Sequence, residues 1–214
     1  MNLRREFCGW PVRRAVHRRA LSLVGAAIVL VGCATSAFHM RPSTNPVSIG
    51  APAEGRAQVV FFVSGRVRDT VTLVDHRGTY YGQLRENSVV VRDVAPGRYR
   101  FYGLWRGHGE AVEIPMLAAG QTAYVGGSDT LMGGFDFRSM QGCDEVARTG
   151  RTALPQLTFV EPDPAVTVET IFGEIGNVPR YTAEGDRHLE SAPESRRVLH
   201  TITAEELVSA PSCP

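Results

Sequence analysis

The run Ala57-Gln58-Val59-Val60-Phe61-Phe62-Val63 decides the reading of the fold. It is apolar at odd and even positions alike, so a strand built from it needs cover on both faces and belongs in the middle of a sheet. From here to Gly127, short apolar or alternating runs recur about every 8–12 residues, each closed by turn residues. Thr70–Asp75 and Thr79–Leu84 flank His76-Arg77-Gly78, a hairpin-like connection with a glycine for positive φ. Ser88–Val94 ends at Ala95-Pro96-Gly97. Arg98-Tyr99-Arg100-Phe101 then alternates strictly, which sends Tyr99, Phe101 and Trp105 inward and the arginines outward. Arg106-Gly107-His108-Gly109 is a further turn, Val112, Ile114 and Met116 alternate, and Thr122–Val125 reads as a strand. Seven such runs without a long helix predict a mainly β chain, an antiparallel β-sandwich of about seven strands over 57–127.

Ala95-Pro96-Gly97-Arg98-Tyr99 and Leu117-Ala118-Ala119-Gly120-Gln121-Thr122 resemble the turn motifs of transthyretin-like, carboxypeptidase-regulatory-like sandwich modules. The resemblance covers residues 57–127 and concerns hairpin geometry rather than chemistry. It implies a non-catalytic accessory or binding domain of the kind found in small bacterial lipoproteins.

Residues 128–214 read as a C-terminal extension packed on the sandwich, with one or two short helices. Gly133-Gly134 marks a loop and Gln156–Val160 a strand, while Asp163-Pro164 is placed to cap a helix carrying Val168, Ile171, Phe172 and Ile175 at helical spacing. Residues 179–196 are polar and read as loop. Arg197–Ile202 is a candidate strand, and Thr203-Ala204-Glu205-Glu206 resembles a capping box before a short terminal helix.

At the other end, Arg4, Arg5, Arg13, Arg14, Arg18 and Arg19 precede an apolar run from Ala20 to Gly32. A helix over that run reaches about 20 Å, too short for roughly 30 Å of hydrocarbon, and so suits the apolar region of a signal peptide. Leu30-Val31-Gly32-Cys33 resembles the lipobox of bacterial lipoproteins. The resemblance implies removal of residues 1–32 by cleavage between Gly32 and Cys33, lipidation of Cys33 (a diacylglyceryl thioether and an acyl group such as palmitate on the new amine), and a membrane anchor through that lipid. Ala34, in place of an acidic residue, leans the expected site to the outer membrane, facing the periplasm. Residues 34–56, rich in Pro, Ser, Ala and Gly, read as a flexible tether, so that 33–56 links the anchor to the sandwich.

Cleavage also changes the charge. Residues 1–32 hold six of the 23 basic residues and one of the 22 acids, so the overall +1 becomes −4 for the remaining chain. A basic nucleic-acid footprint is absent, and the expected partners are an envelope protein or a glycan, with no nucleic acid. Every basic residue is arginine. With Cys8 removed and Cys33 lipidated, Cys143 and Cys213 remain. In an oxidising periplasm they form a natural disulfide pair, closing a loop of about 70 residues and contributing about 4 kcal/mol; the alternative is two free thiols in a tail.

No catalytic constellation, metal site or cofactor is assigned. His108-Gly109-Glu110 matches half of a zinc-deaminase signature, but the chain contains no C-x-x-C and the triplet reads as a turn. Gly126-Gly127-Ser128-Asp129-Thr130 begins like a nucleophile elbow and lacks its last glycine. His188 and His200 lack metal-ligand spacing, and Asp129, Asp136, Asp144 and Glu145 match no calcium-loop pattern. Tyr80, Tyr81, Tyr102 and Trp105 are read as half-covered by the C-terminal extension or, alternatively, as a sugar- or partner-binding surface. The leading expectation is a lipid-anchored binding, assembly or structural module. The alternative is an envelope hydrolase with its site between the sandwich and the C-terminal region.

Overall fold

A computed structural model describes residues 37–44, 48–130, 134–139, 152–192 and 201–202. Its elements run β1 (Met40–Pro42), β2 (Ala57–Val63), β3 (Val71–Asp75), β4 (Tyr80–Leu84), β5 (Ser88–Val94), β6 (Gly97–Trp105), β7 (His108–Leu117), β8 (Thr122–Asp129), β9 (Phe135–Ser139), β10 (Thr158–Pro162), α1 (Val168–Ile175), α2 (Val178–Ser191) and β11 (Thr201–Ile202). A 3-10 turn at Leu154–Gln156 precedes β10. The seven runs read between Ala57 and Gly127 correspond to β2–β8.

The strands form two sheets. The larger is ordered β1-β10-β5-β2-β8-β11, with β9 also paired to β8, and the smaller is ordered β4-β3-β6-β7. The smaller sheet is antiparallel throughout. The larger is mixed, since β2 runs parallel to β8 and β10 parallel to β5. The expected purely antiparallel seven-stranded sandwich is corrected accordingly. The reason is topological. The chain lays β2 in the larger sheet, β3 and β4 in the smaller, β5 in the larger, β6 and β7 in the smaller, and β8 in the larger. Six reversals separate β2 from β8, so the two point the same way when they become neighbours.

The same path changes the role of the two family-like turns. Ala95–Gly97 joins β5 to β6, and the Ala118–Gln121 turn joins β7 to β8, so both carry the chain from one sheet to the other rather than closing a hairpin. Each is locked by its own hydrogen bonds. The Tyr99 hydroxyl donates to the Ala95 carbonyl at 2.7 Å. Ala118 N–H donates to Gln121 Oε1 at 2.9 Å, and Gly120 takes the φ of +79° that this turn needs. True hairpins lie at 76–79 and at Arg106-Gly107, where both turn residues have positive φ as in a type I′ turn.

One core fills the space between the sheets. Val59, Phe61 and Val63 of β2 meet Leu73, Tyr99, Phe101, Val112 and Ile114 of the smaller sheet. The Phe61 and Phe101 rings lie edge to face at 4.9 Å. As the alternation predicts, Tyr99, Phe101 and Trp105 face this core. Val60 and Phe62 point the other way and are covered with Val89, Val91 and Tyr124 by Leu154, Leu157 and Ile49. Double cover explains why every residue of β2 is buried. A third apolar layer sets Val74, Tyr102, Leu104 and Ala111 under Leu189, Tyr181 and Phe172 of the helices.

The C-terminal region departs from its reading in two places. Asp163 does not cap α1; it closes the preceding turn by accepting from Ala165 N–H, and Thr167 is the cap, accepting from Thr170 N–H. Residues 179–196, read as loop, contain most of α2. Asn177 caps this helix through Arg180 N–H, and Pro179 stands in its first turn, where an absent N–H costs nothing. Met40–Pro42, within the stretch read as a tether, pairs with β10 as β1.

Candidate functional site

The residues with chemical capability gather in two places. The first is the seam between α2 and the smaller sheet. Tyr181, Gly185 and Leu189 recur along one helix face, and two glycines let that face come close. A Cβ on Gly109 would run into the Tyr181 carbonyl, and one on Gly185 would stand 3.1 Å from the Glu110 carbonyl carbon. Polar pairs stitch the seam. His188 Nδ1 donates to Glu110 Oε1 at 2.9 Å, and His108 Nδ1 lies 3.1 Å from Glu184 Oε1. Asp186 Oδ1 accepts both from Arg100 at 2.8 Å and from the Tyr102 hydroxyl at 2.9 Å. A third imidazole, His39, reaches Glu174 of α1 at 2.8 Å.

The electrostatics follow from burial and from Asp186. Burial, reinforced by the hydrogen bond and charge of Asp186, pushes the Tyr102 phenol up to about 12. Burial acts to lower Arg100, yet the hydrogen bond and charge of Asp186 outweigh it and hold the guanidinium above its ordinary value. Each half-exposed pair contributes about 0.2–1 kcal/mol, so the seam is held as much by apolar contact as by charge.

The second place is an open groove of about 690 Å³ at one end of the two sheets, lined by Phe38, Val67, Arg68, Asp69, Arg85 and Asn87 among others. The Arg85 guanidinium lies 4.1 Å over the Phe38 ring, and Arg106 pairs with Asp69 at 2.5 Å. A smaller cleft of about 180 Å³ is lined by His76, Arg98, Arg100 and Glu113. Neither concavity contains His188 or Glu110. Among the described residues no group of three or more His, Cys, Asp or Glu is arranged to hold a metal ion.

The singled-out residues sort as follows. Gly32, Cys33, Cys143, Cys213, His200, Asp144, Glu145 and Thr203–Glu206 lie outside the described residues. His108-Gly109-Glu110 begins β7 directly after the Arg106-Gly107 turn, and both its polar residues pair with α2. Asp129 lies 3.6 Å from Arg68. Tyr81 is buried and donates to Asp75, whereas Tyr80 is half-buried with its hydroxyl 3.4 Å from Met40 Sδ. Tyr80 is therefore covered by β1, and Tyr102 by α2. The Tyr80 phenol is pushed up to about 12 by burial, which the Arg92 charge opposes.

Sequence reasoning missed the His–carboxylate pairs because 76 and 78 residues separate the partners. The one local signal was Asn177-Val178-Pro179, a helix start that the polar composition beyond it obscured. The chain is thus a mainly β protein of two facing sheets with two C-terminal helices over the smaller one. No family model and no curated protein matches it.

Proposed function

We propose that this chain is a lipid-anchored protein of the bacterial cell envelope whose β-domain acts as a non-catalytic binding, assembly or structural module. Cys33 carries the lipid, the outer membrane facing the periplasm is the location, and an envelope protein or glycan is the partner. The observation that carries the non-catalytic reading is the use made of the imidazoles. His39, His108 and His188 each pair with a carboxylate between the helices and the body of the domain and line neither concavity, while His76, in the smaller cleft, stands edge to face with the Tyr99 ring at 6.4 Å. Strands β2–β8 supply the transthyretin-like module in this reading, with β1, β9–β11 and the helices added to it. Cys143 and Cys213 form its disulfide.

The second reading, a hydrolase, draws on the same seam, because His188 oriented by Glu110 is the geometry of a general base. Crosslinking in the intact envelope followed by identification of co-purified proteins and glycans separates the two. A specific partner retained by the His188→Asn variant supports the module. A hydrolytic activity of the purified protein that His188→Asn and Glu110→Gln both abolish, in variants that still fold, overturns it.

A further inference from the structure

The segment entering the domain limits where an anchor at Cys33 can hold it. A free stretch over 33–56 would span up to about 80 Å. Instead the chain is fastened almost at once. Met40 is buried in the core, β1 pairs with β10, and Arg41 grips Glu161 through Nε at 2.9 Å and a terminal nitrogen at 2.7 Å. His39 holds Glu174 at 2.8 Å, and Ala37 and Phe38 already line the end groove. Four residue steps therefore join Cys33 to the groove, a reach of at most about 14 Å. The backbone of a cysteine whose acyl chains lie in hydrocarbon stands in the headgroup layer, about 5–8 Å thick on each side of the bilayer.

The groove end suits that location. Arg68 and Arg85 are exposed along it, Arg66 is exposed two residues before Arg68 in the chain, and half-buried Phe38 and Val67 supply its apolar part. Of the acids there, Asp69 is engaged by Arg106 and Asp129 by Arg68, while Glu86 shares the rim. Arg68 and Arg85 on this groove, with Arg66 beside Arg68 in sequence, set cationic forks on a chain whose net charge without residues 1–32 is −4, and such forks match the phosphates of anionic lipids.

We infer that this end of the domain docks on the bilayer, with phospholipid headgroups seated in the groove between Phe38, Arg68 and Arg85. The inference rests on the reading of Cys33 as the lipidated residue. The short connection keeps the groove at high effective concentration beside the headgroups, so contacts too weak to hold a free protein suffice to orient a tethered one.

The test is hydrogen exchange by mass spectrometry on the acylated protein in vesicles of phosphatidylethanolamine and phosphatidylglycerol, compared with the Cys33→Ser chain lacking residues 1–32 in solution. Peptides covering 64–70 and 85–88 are expected to exchange about fivefold more slowly, or slower still, on vesicles, with α2 unchanged. The triple variant Arg66→Glu, Arg68→Glu, Arg85→Glu remains membrane-bound and loses that protection, as does a variant with a long Gly/Ser insertion after Ala34. An acylated chain whose loops exchange equally in both states overturns the docking alone. Absence of acyl mass overturns the anchor and the docking together. Protection in native envelopes but not on pure lipid vesicles assigns the groove to a protein and overturns the inference.

Discussion

Two alanine substitutions, one in each helix, test how the C-terminal region is held. Gly173 in α1 has nothing within 4 Å of where a Cβ would stand. Gly173→Ala therefore gains helix propensity, up to about 1 kcal/mol, with no steric cost. Gly185 in α2 offers the same propensity gain against a fixed obstacle. Its Cβ would lie 3.1 Å from the Glu110 carbonyl carbon, 3.1 Å from Tyr102 Cδ1 and 3.3 Å from the Glu110 oxygen. Carbon atoms rest at about 3.5–4.0 Å, so the helix backs off by several tenths of an ångström and loosens Tyr181 and Leu189. Overpacking of this kind costs about 1–3 kcal/mol, leaving a net loss near 1 kcal/mol after the propensity gain. The two variants should then differ by about 2 kcal/mol, with midpoints about 4–8 °C apart on either side of the parent. Thermal and urea unfolding followed by circular dichroism reads both. A Gly185→Ala protein as stabilised as Gly173→Ala refutes the close backbone contact between α2 and β7.

Phe61 is fully buried between the sheets, so Phe61→Ala should cost about 3–5 kcal/mol in urea unfolding; a loss under about 1 kcal/mol contradicts a single shared core. The Tyr80 and Tyr102 phenols, each pushed up to about 12, hold their protons more tightly folded than unfolded. Their contribution to stability is complete below the ordinary phenol value near 10 and disappears as pH rises through 12, so stability should decline between those limits. Phenolate absorbance in the native protein should lag that of the unfolded chain, and coincident titrations refute the burial of both rings. Denatured, unreduced protein from the envelope should show no reactive thiol if Cys143 and Cys213 are bonded, and two reactive thiols rule the disulfide out.

How much of this was legible in sequence depended on whether the signal lay in side-chain periodicity. Ala57–Val63 betrayed a doubly covered strand because both its faces are apolar, and Tyr99, Phe101 and Trp105 revealed their inward face by alternation. Strand direction leaves no such trace. Val59 beside Ala123 looks the same whether the pair is parallel or antiparallel, and only the count of chain reversals between the two strands decides it. Helix α2 was hidden for another reason. Its contact stripe includes Gly185, where close approach replaces a buried side chain, and Glu184, Asp186 and His188 meet the sheet through polar pairs rather than apolar contact. Strand β1 was obscured because Phe38 and Met40 are isolated apolar residues in a Pro- and Ser-rich stretch. Their partners, Arg85 and the edge of β4, lie more than forty residues away.

The most direct test of the account is the mass of the N-terminal tryptic peptide of the protein extracted from bacterial envelopes. A peptide running from Cys33 to Arg56, uncut at Arg41 because Pro42 follows it, with a diacylglyceryl group on sulfur and an acyl chain on its amine is the predicted result. An unmodified Cys33 peptide, or one that begins at Ala20 and reads through Gly32 uncleaved, contradicts the anchor on which the proposed function rests.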